Sequence, residues 1–488
     1  MNGWLVFGLL LAAYLGLYFV LRGRKGPLPG GFEFAGPLLL WRTNWGKDTI
    51  QRVARPGRFW NVVADVGIVV TWIVGFLIFA LLVLSLFTWV LRPAESAENA
   101  PGVRELLGLP GINPMIPLGY GIVALILALV IHEGSHGVMA YVAKMRVKSL
   151  GLVMFIVPVG AFVEPHDEDM MKATTRAKNR VFAAGPTSNI VLALVAGMLL
   201  STLFVGQMDV RNDGDGVVVG AVEPGSAAAL AGLEPGDLMT LIDGQRITTR
   251  EQYTSLMANT SAGQRIDIVY LRDGAMRTTT AVLGDRHEYI ARVAPSQNED
   301  ANRGKGFLGV SGLGLQGLDG VREALAHPFA DLSSFFFYIS YPFFIFTQGL
   351  DVMAAPYTDL FEITGPMAFM PPWLFFATAS LLYWIMWLNL MLGTFNALPA
   401  GPLDGGQMLR ATLSERMMRR YRVDRERLDV ERLETGGLTL KGKDEETQQK
   451  LDRVNLAVGR ATRTLGFFIL GLILLPLVAP PLVRLFLG

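Results

Sequence analysis

The chain has 488 residues, of which 51% are hydrophobic and only 17% charged, with a net charge of +1; its mean hydropathy is +0.38. Soluble domains carry about 25% charged residues, so an ordinary soluble enzyme and a disordered chain are both excluded. Cysteine is absent, which removes disulfides, thiolate metal ligands and cysteine nucleophiles, and the balanced charge gives no argument for nucleic acid.

Apolar runs of about 18 residues or more, long enough to cross a bilayer, recur along the chain. The first, Trp4 to Leu21, is followed by Arg22, Arg24 and Lys25. Its charges follow the run rather than precede it, so it reads as a retained anchor with a cytoplasmic C-terminal end. A basic stretch to Arg58 opens on Gly and Pro residues from Gly26 to Gly36 and reads as a loop. Further runs are Val62 to Val90, about Pro117 to Val142, and Val181 to about Val205. Lys144, Arg146 and Lys148 follow the third, and Lys172, Arg176, Lys178 and Arg180 precede the fourth. The positive-inside rule places 22–60 and 144–180 in the cytoplasm, and 91–115 and the stretch after Val205 outside.

Residues 207–300 are soluble in composition, with β-rich runs such as Gly216-Val-Val-Val-Gly220 and Ile266-Asp-Ile-Val-Tyr270 between turn residues. The segment Gly232-Leu-Glu-Pro-Gly-Asp237, followed by Ile242-Asp-Gly244, resembles a PDZ domain of the protease-associated kind over roughly 215–285. That resemblance implies docking of a peptide or C-terminus by strand addition; a β-rich spacer with a closed groove is the alternative. Residues 301–372 form a connector. Its apolar stretch, 331–372, is interrupted by Pro342, Asp351, Pro356, Asp359 and Glu362, and is expected to be interfacial or re-entrant. Trp373 to Leu392 is a better spanning helix, 407–463 a charged cytoplasmic helical segment, and Leu465 to Leu487 a last span.

Two of the five histidines stand in Ile131-His-Glu-Gly-Ser-His-Gly137, an HExxH motif inside an apolar helix. Positions i and i+4 share a face, so His132 and His136 can grip one Zn²⁺ while Glu133 takes a proton from the water it binds. Such a motif arises by chance in on the order of a few chains per thousand of this length and composition. Ionisable groups cost about 2.5–3.5 kcal/mol each in mid-membrane, so the cluster needs a reason; a buried polar cluster holding helices together is the competing one. A third ligand is offered far away in Asn396-Ala-Leu-Pro-Ala-Gly-Pro-Leu-Asp-Gly-Gly406, where Pro399 and Pro402 break regular structure before Asp404. Alone, that Asp-Gly reads equally as a turn.

HExxH in one membrane helix with Asn-x-x-Pro and Leu-Asp-Gly in a later one resembles the site-2 protease family of intramembrane zinc metalloproteases. Gly185-Pro-Thr-Ser-Asn189 matches that family's Gly-Pro-x-x-Asn element, and Gly160-Ala-Phe-Val-Glu164 resembles its short β element, in a style similar to archaeal members. The resemblance covers 116–206 and 373–410, and less closely the PDZ-like region. It implies a polytopic α-helical membrane protein with a short membrane-associated β element and an inserted α+β PDZ-like domain. It implies one Zn²⁺ per chain held by His132, His136 and Asp404, with Glu133 as general base and then proton shuttle to the leaving amine. Asn189 and Asn396 would hydrogen-bond substrate backbone, with helix–helix hydrogen bonding as the alternative. The strand edge 157–163, with Gly160 and Phe162, would pair with an unwound substrate; a simple structural hairpin is the alternative.

These features point to an intramembrane endopeptidase in a multi-pass protein of the cell membrane. It would cut a transmembrane protein substrate already trimmed by another protease, with its site opening to the cytoplasm. The PDZ-like domain, outside, would then exclude untrimmed ectodomains. A catalytically inactive PDZ adaptor and an HExxH protease of soluble or misfolded proteins are the competing readings. His166 in Glu164-Pro-His-Asp-Glu-Asp169 reads as a solvated loop histidine, or as a second metal site with Asp167 and Asp169. His287 and His327 read as surface residues.

Overall fold

The computed structural model describes residues 3–21, 28, 30–98, 100, 102–106, 108–155, 157–211, 216–272, 274–293, 300–432 and 438–487. Arg22, Arg24, Lys25 and Gly26 lie outside them. In chain order the main elements are α1 (Gly3–Leu21), β1 (Phe32–Ala35), β2 (Leu38–Thr43), α2 (Gly57–Leu91), α3 (Leu118–Val142), β3 (Val147–Phe155), β4 (Val157–Pro165) and α4 (Thr175–Leu199). Next come β5 (Met208–Val210), β6 (Val217–Val222), β7 (Leu238–Ile242), α5 (Arg250–Ala258), β8 (Arg265–Arg272), β9 (Ala275–Val282) and β10 (Val310–Gly314). Then follow α6 (Leu315–Ala326), α7 (Leu332–Gln348), β11 (Phe361–Ile363), α8 (Pro372–Asn396), α9 (Asp404–Arg420), β12 (Leu428–Arg432), β13 (Leu438–Gly442) and α10 (Glu445–Leu487). Among the described residues, five helical stretches are long and apolar enough to cross a membrane: 57–91, 118–142, 175–207, 372–396 and 445–481. The protein is a polytopic helical membrane protein. α7 has only 17 residues, about 25 Å of rise against a core of about 30 Å.

The contacts divide into two units. The first comprises residues 1–106, 122–194 and 385–488. Here α2 buries only Ala64, Gly67, Thr71 and Gly75, spaced three or four apart and therefore on one face. Its large residues, such as Val62, Ile73 and Phe76, stay exposed, as a lipid-facing surface requires. Without a hydrophobic drive between helices in lipid, small residues that let backbones approach supply the packing. A Cβ on Gly67 would stand 2.8 Å from the Thr187 hydroxyl of α4. A four-stranded antiparallel sheet, in the order β1-β2-β3-β4, joins this unit. The stretch expected to be a loop is therefore partly a hairpin. Leu38-Leu-Leu-Trp-Arg-Thr43 pairs with β3 from Leu39↔Met154 to Thr43↔Leu150, while the glycines fall at its turns. The charged segment 407–463 also differs from a purely helical reading. β12 and β13 form an antiparallel hairpin within it, and α10 then runs unbroken from Glu445 into the apolar span.

The second unit comprises 107–121 and 195–384. Its main sheet has the strand order β9-β8-β7-β6-β10. Alternation sets its core, with Val217, Val219, Met239, Ile242, Ile266, Ile268 and Tyr270 packed together and Tyr253 of α5 against them. This PDZ-like sheet extends past residue 300. A boundary at 300 would remove β10, whose Val310↔Val222 to Gly314↔Val217 pairing completes the sheet. The fully buried Val217, Val218 and Val219 need that neighbour on their open side. Asp237, 1% exposed, accepts from Arg272 Nε at 2.6 Å and from the Glu234 amide at 2.8 Å, which compensates its buried charge.

One carboxylate ties the four-stranded sheet together. Glu164 of β4 accepts from Lys148 at 2.9 Å and Ser149 at 2.8 Å of β3, and from Arg42 of β2. Burial raises its pKa, but those three hydrogen bonds outweigh burial and hold it at about 2 rather than 4.5. A depressed carboxyl pKa gives stability that is present above the unfolded value and lost as pH falls toward the folded one. Between pH 5 and 3 the melting temperature of the wild type should fall, and in Glu164→Gln, already lower at pH 7, it should fall less. Thermal melts of both proteins across that range check this.

Candidate metal centre

Three distant segments supply the site. His132 and His136 stand one turn apart on α3, 5% and 9% exposed, with ring centroids 4.9 Å apart. Asp404 opens α9. Its Oδ2 lies 3.0 Å from His132 Nε2 and 3.3 Å from His136 Nε2, and one ligand atom from each of the three lies within 4.8 Å of the others. Among the described residues this is the group of three or more such side chains placed to hold a metal ion. His166, Asp167 and Asp169 form no second one. Asp169 instead pairs with Arg146, its Oδ1 2.8 Å from Nη2. His327 lies 3.3 Å from Glu323 on an exposed surface.

The donor set and its surroundings fit a zinc ion. His136 Nδ1 lies 2.7 Å from the Val181 carbonyl. A carbonyl only accepts, so Nδ1 carries the proton and Nε2 keeps a free lone pair toward Asp404. Space is left by Gly185 of α4. A Cβ there would stand 2.5 Å from His136 Nε2 and 2.6 Å from His132 Nε2, so the missing side chain opens room where those nitrogens point. Two imidazoles and a carboxylate are zinc ligands of the catalytic type, which leaves a fourth position open.

The turn before Asp404 is held as tightly. A Cβ on Gly405 would strike the Ala397 carbonyl, and one on Gly75 of α2 would strike the same oxygen. Gly393 of α8 lets the Pro186 carbonyl of α4 come to 2.9 Å of where a Cβ would be. Leu398 and Ala400 are buried with Ile469 of α10. The apolar turn thus anchors itself, and Asp404 is delivered to the histidines at the first residue of its helix.

Glu133 accepts from the Val163 amide of β4 at 3.1 Å, which joins the candidate base to the strand. Asn189 is fully buried, and neither of its amide atoms has a hydrogen-bond partner among the described residues. Asn396 donates to the Leu392 carbonyl of its own helix at 3.0 Å. Gly160 pairs with Val153. The Phe162 ring lies over Gly151, where a Cβ would strike it, with the Arg42 guanidinium 5.3 Å from its centroid. Phe162 therefore packs on its own sheet. Two contributors had no part in the sequence reading: the Val181 carbonyl, which meets His136, and the Val163 amide, which meets Glu133. Backbone groups leave no mark in a sequence. The Gly-Pro pair inside an apolar helix was the available signal for Gly185.

The model of Peptidase family M50 matches residues 120–428. The chain is 27% identical over 267 residues to an uncharacterised protein, MJ0971, of Methanocaldococcus jannaschii, covering 54% of this chain and 68% of that one. It is 26% identical over 226 residues to the zinc metalloprotease RasP of Shouchella clausii, covering 46% of this chain and 48% of that one. The chain thus spans about half the length of that RasP. A PDZ domain of the SdrC-like protein of Listeria monocytogenes matches at 20% identity, covering 23% of this chain and 98% of that one, at a TM-score of 0.17. That likeness is too slight to support an argument.

Gly185→Ala should leave helix content unchanged, because alanine favours helices. It should weaken zinc binding by roughly the 10–100-fold seen when groups beside a metal's ligands are altered. Zinc titration of purified wild type and variant, with circular dichroism alongside, checks both statements.

Proposed function

The chain belongs to Peptidase family M50, and from that premise we propose that it is a zinc-dependent intramembrane endopeptidase of the site-2 protease type. The observation that carries this is the convergence of the buried His132 and His136 with the half-buried Asp404, beside Glu133. Their Nε2 atoms and the Asp404 carboxylate would hold the ion. When bound, zinc supplies Lewis-acid polarisation of the scissile carbonyl.

Glu133 takes a proton from the attacking water and returns it to the leaving amine nitrogen. Its hydrogen bond from the Val163 amide keeps one oxygen oriented, and the other is left for that proton. The substrate is a transmembrane segment, whose amides are hidden in i to i−4 bonds until it unwinds. Freed backbone groups cost several kcal/mol each in lipid unless paired. β4 is an edge strand of its sheet, which supports its pairing with the unwound segment as an added strand; Gly160 admits close approach. The unpartnered amide of Asn189 is suited to a substrate peptide group, and Asn396 to a lesser degree, since its amide already serves Leu392. By the charge bias of its loops the site opens to the cytoplasm and the PDZ-like domain lies outside. There the edge strand β10 supports docking of a peptide or C-terminus.

Glu133→Gln keeps the shape of the site and removes the base. It should retain about one zinc per chain, yet cut a transmembrane reporter at least 10²-fold more slowly. Zinc analysis and cleavage of the same reporter by both proteins test this. Cleavage at the wild-type rate by Glu133→Gln would refute the assignment.

A further inference from the structure

A cavity of about 490 Å³ lies between the turn that opens α9 and the middle of α10, within the ~300–1,000 Å³ range of small-molecule sites. Leu403, Gly406 and Arg410 line one side, and Arg463, Phe467 and Leu470 the other. It adjoins the Asp404 turn and shares Ala400 and Ile469 with that turn's apolar anchor, but contains none of the three candidate ligands and not Glu133. One of its features disagrees with an ordinary lipid-facing groove. Arg410 and Arg463 are exposed, and among the described residues neither makes an ion pair or hydrogen bond. Below them the walls are apolar and open, with Phe467 71% and Leu470 48% exposed.

The position along α10 explains the pairing of charge and grease. The helix is charged through Arg463 and carries no charge from Thr464 to Leu482. Arg463 therefore stands where the helix passes from its polar half into its apolar span. The cavity straddles that boundary, with two unpaired guanidinium groups at one end and hydrocarbon at the other.

We infer that this cavity binds a membrane glycerophospholipid with an anionic headgroup. The phosphate sits between Arg410 and Arg463, which suit it through planar, paired N–H donors. One acyl chain lies along Leu403, Phe467 and Leu470. A purely apolar occupant, such as a neutral helix, would leave both guanidinium groups without a counter-charge at the membrane boundary. Basic pockets between membrane helices recognise headgroups in this way.

The test uses the full chain in neutral detergent. It is titrated separately with dioleoylphosphatidylglycerol, dioleoylphosphatidylcholine and glycerol phosphate, and bound ligand per chain is read by native mass spectrometry. The anionic lipid should bind about tenfold more tightly than the zwitterionic one, and glycerol phosphate should not bind at the same concentration. Arg410→Gln and Arg463→Gln should each weaken the anionic lipid about fivefold and phosphatidylcholine, whose choline already neutralises its phosphate, by clearly less. Arg416→Gln removes the same charge from α9 away from the cavity and should change nothing. Gel filtration and circular dichroism identical to wild type exclude misfolding as the cause. Equal binding of the two lipids would overturn the inference. So would an equal loss in Arg416→Gln, or binding of glycerol phosphate as tight as that of the lipid.

Discussion

Everything at the metal centre depends on how closely α4 approaches two imidazoles at Gly185. The nitrogens of His132 and His136 point into room that a single methyl group would occupy. Around that point the chain uses small residues wherever elements meet: Gly67 and Gly75 on α2, Gly393 on α8, Gly405 after Asp404. In lipid this is the available source of cohesion, since helix-to-helix hydrogen bonds average only about 0.6 kcal/mol. The Thr71–Thr187 contact, at 3.3 Å, is one of these and cannot by itself hold α2 to α4. Close packing does so, and it fixes the three candidate ligands His132, His136 and Asp404.

The short β element couples to this centre through one bond. Glu133 receives the Val163 amide, and β4 is in turn fastened to β3 and β2 by Glu164 with Lys148, Ser149 and Arg42. Glu133, the proposed base, is thereby oriented by the edge strand of its sheet. The same arrangement explains why a β sheet accompanies a helical membrane unit: the strand edge offers backbone partners that lipid cannot.

Much of this was legible in the sequence, for identifiable reasons. Long apolar runs announce membrane helices by length alone, and HExxH announces two ligands because helical spacing puts i and i+4 on one face. Asp404 needed the family resemblance, because Asp-Gly after prolines is also an ordinary turn; the structure brings it to 3.0 Å of His132 Nε2. Other features were hidden. The pairing of Leu38–Thr43 with β3 joins segments about a hundred residues apart, which no local pattern reveals. β10 was missed because a five-residue strand with two glycines carries little β signal, although it completes the PDZ-like sheet. Val181 and Val163 act through backbone atoms, so their side chains are silent about it. Phe162 was placed toward substrate by its motif, yet its ring lies on Gly151.

In the proposed site one metal ion is closed by a helix and a turn some 270 residues apart, His132 and Asp404 being separated by 272 positions. X-ray absorption at the zinc edge of the purified full chain tests it most directly. The account predicts one zinc per chain with two imidazole nitrogens at about 2.0–2.1 Å and carboxylate oxygen at about 2.0–2.2 Å, the two-imidazole signature disappearing in His132→Ala. A folded chain that takes up no zinc, or a zinc shell without two imidazoles, would contradict it.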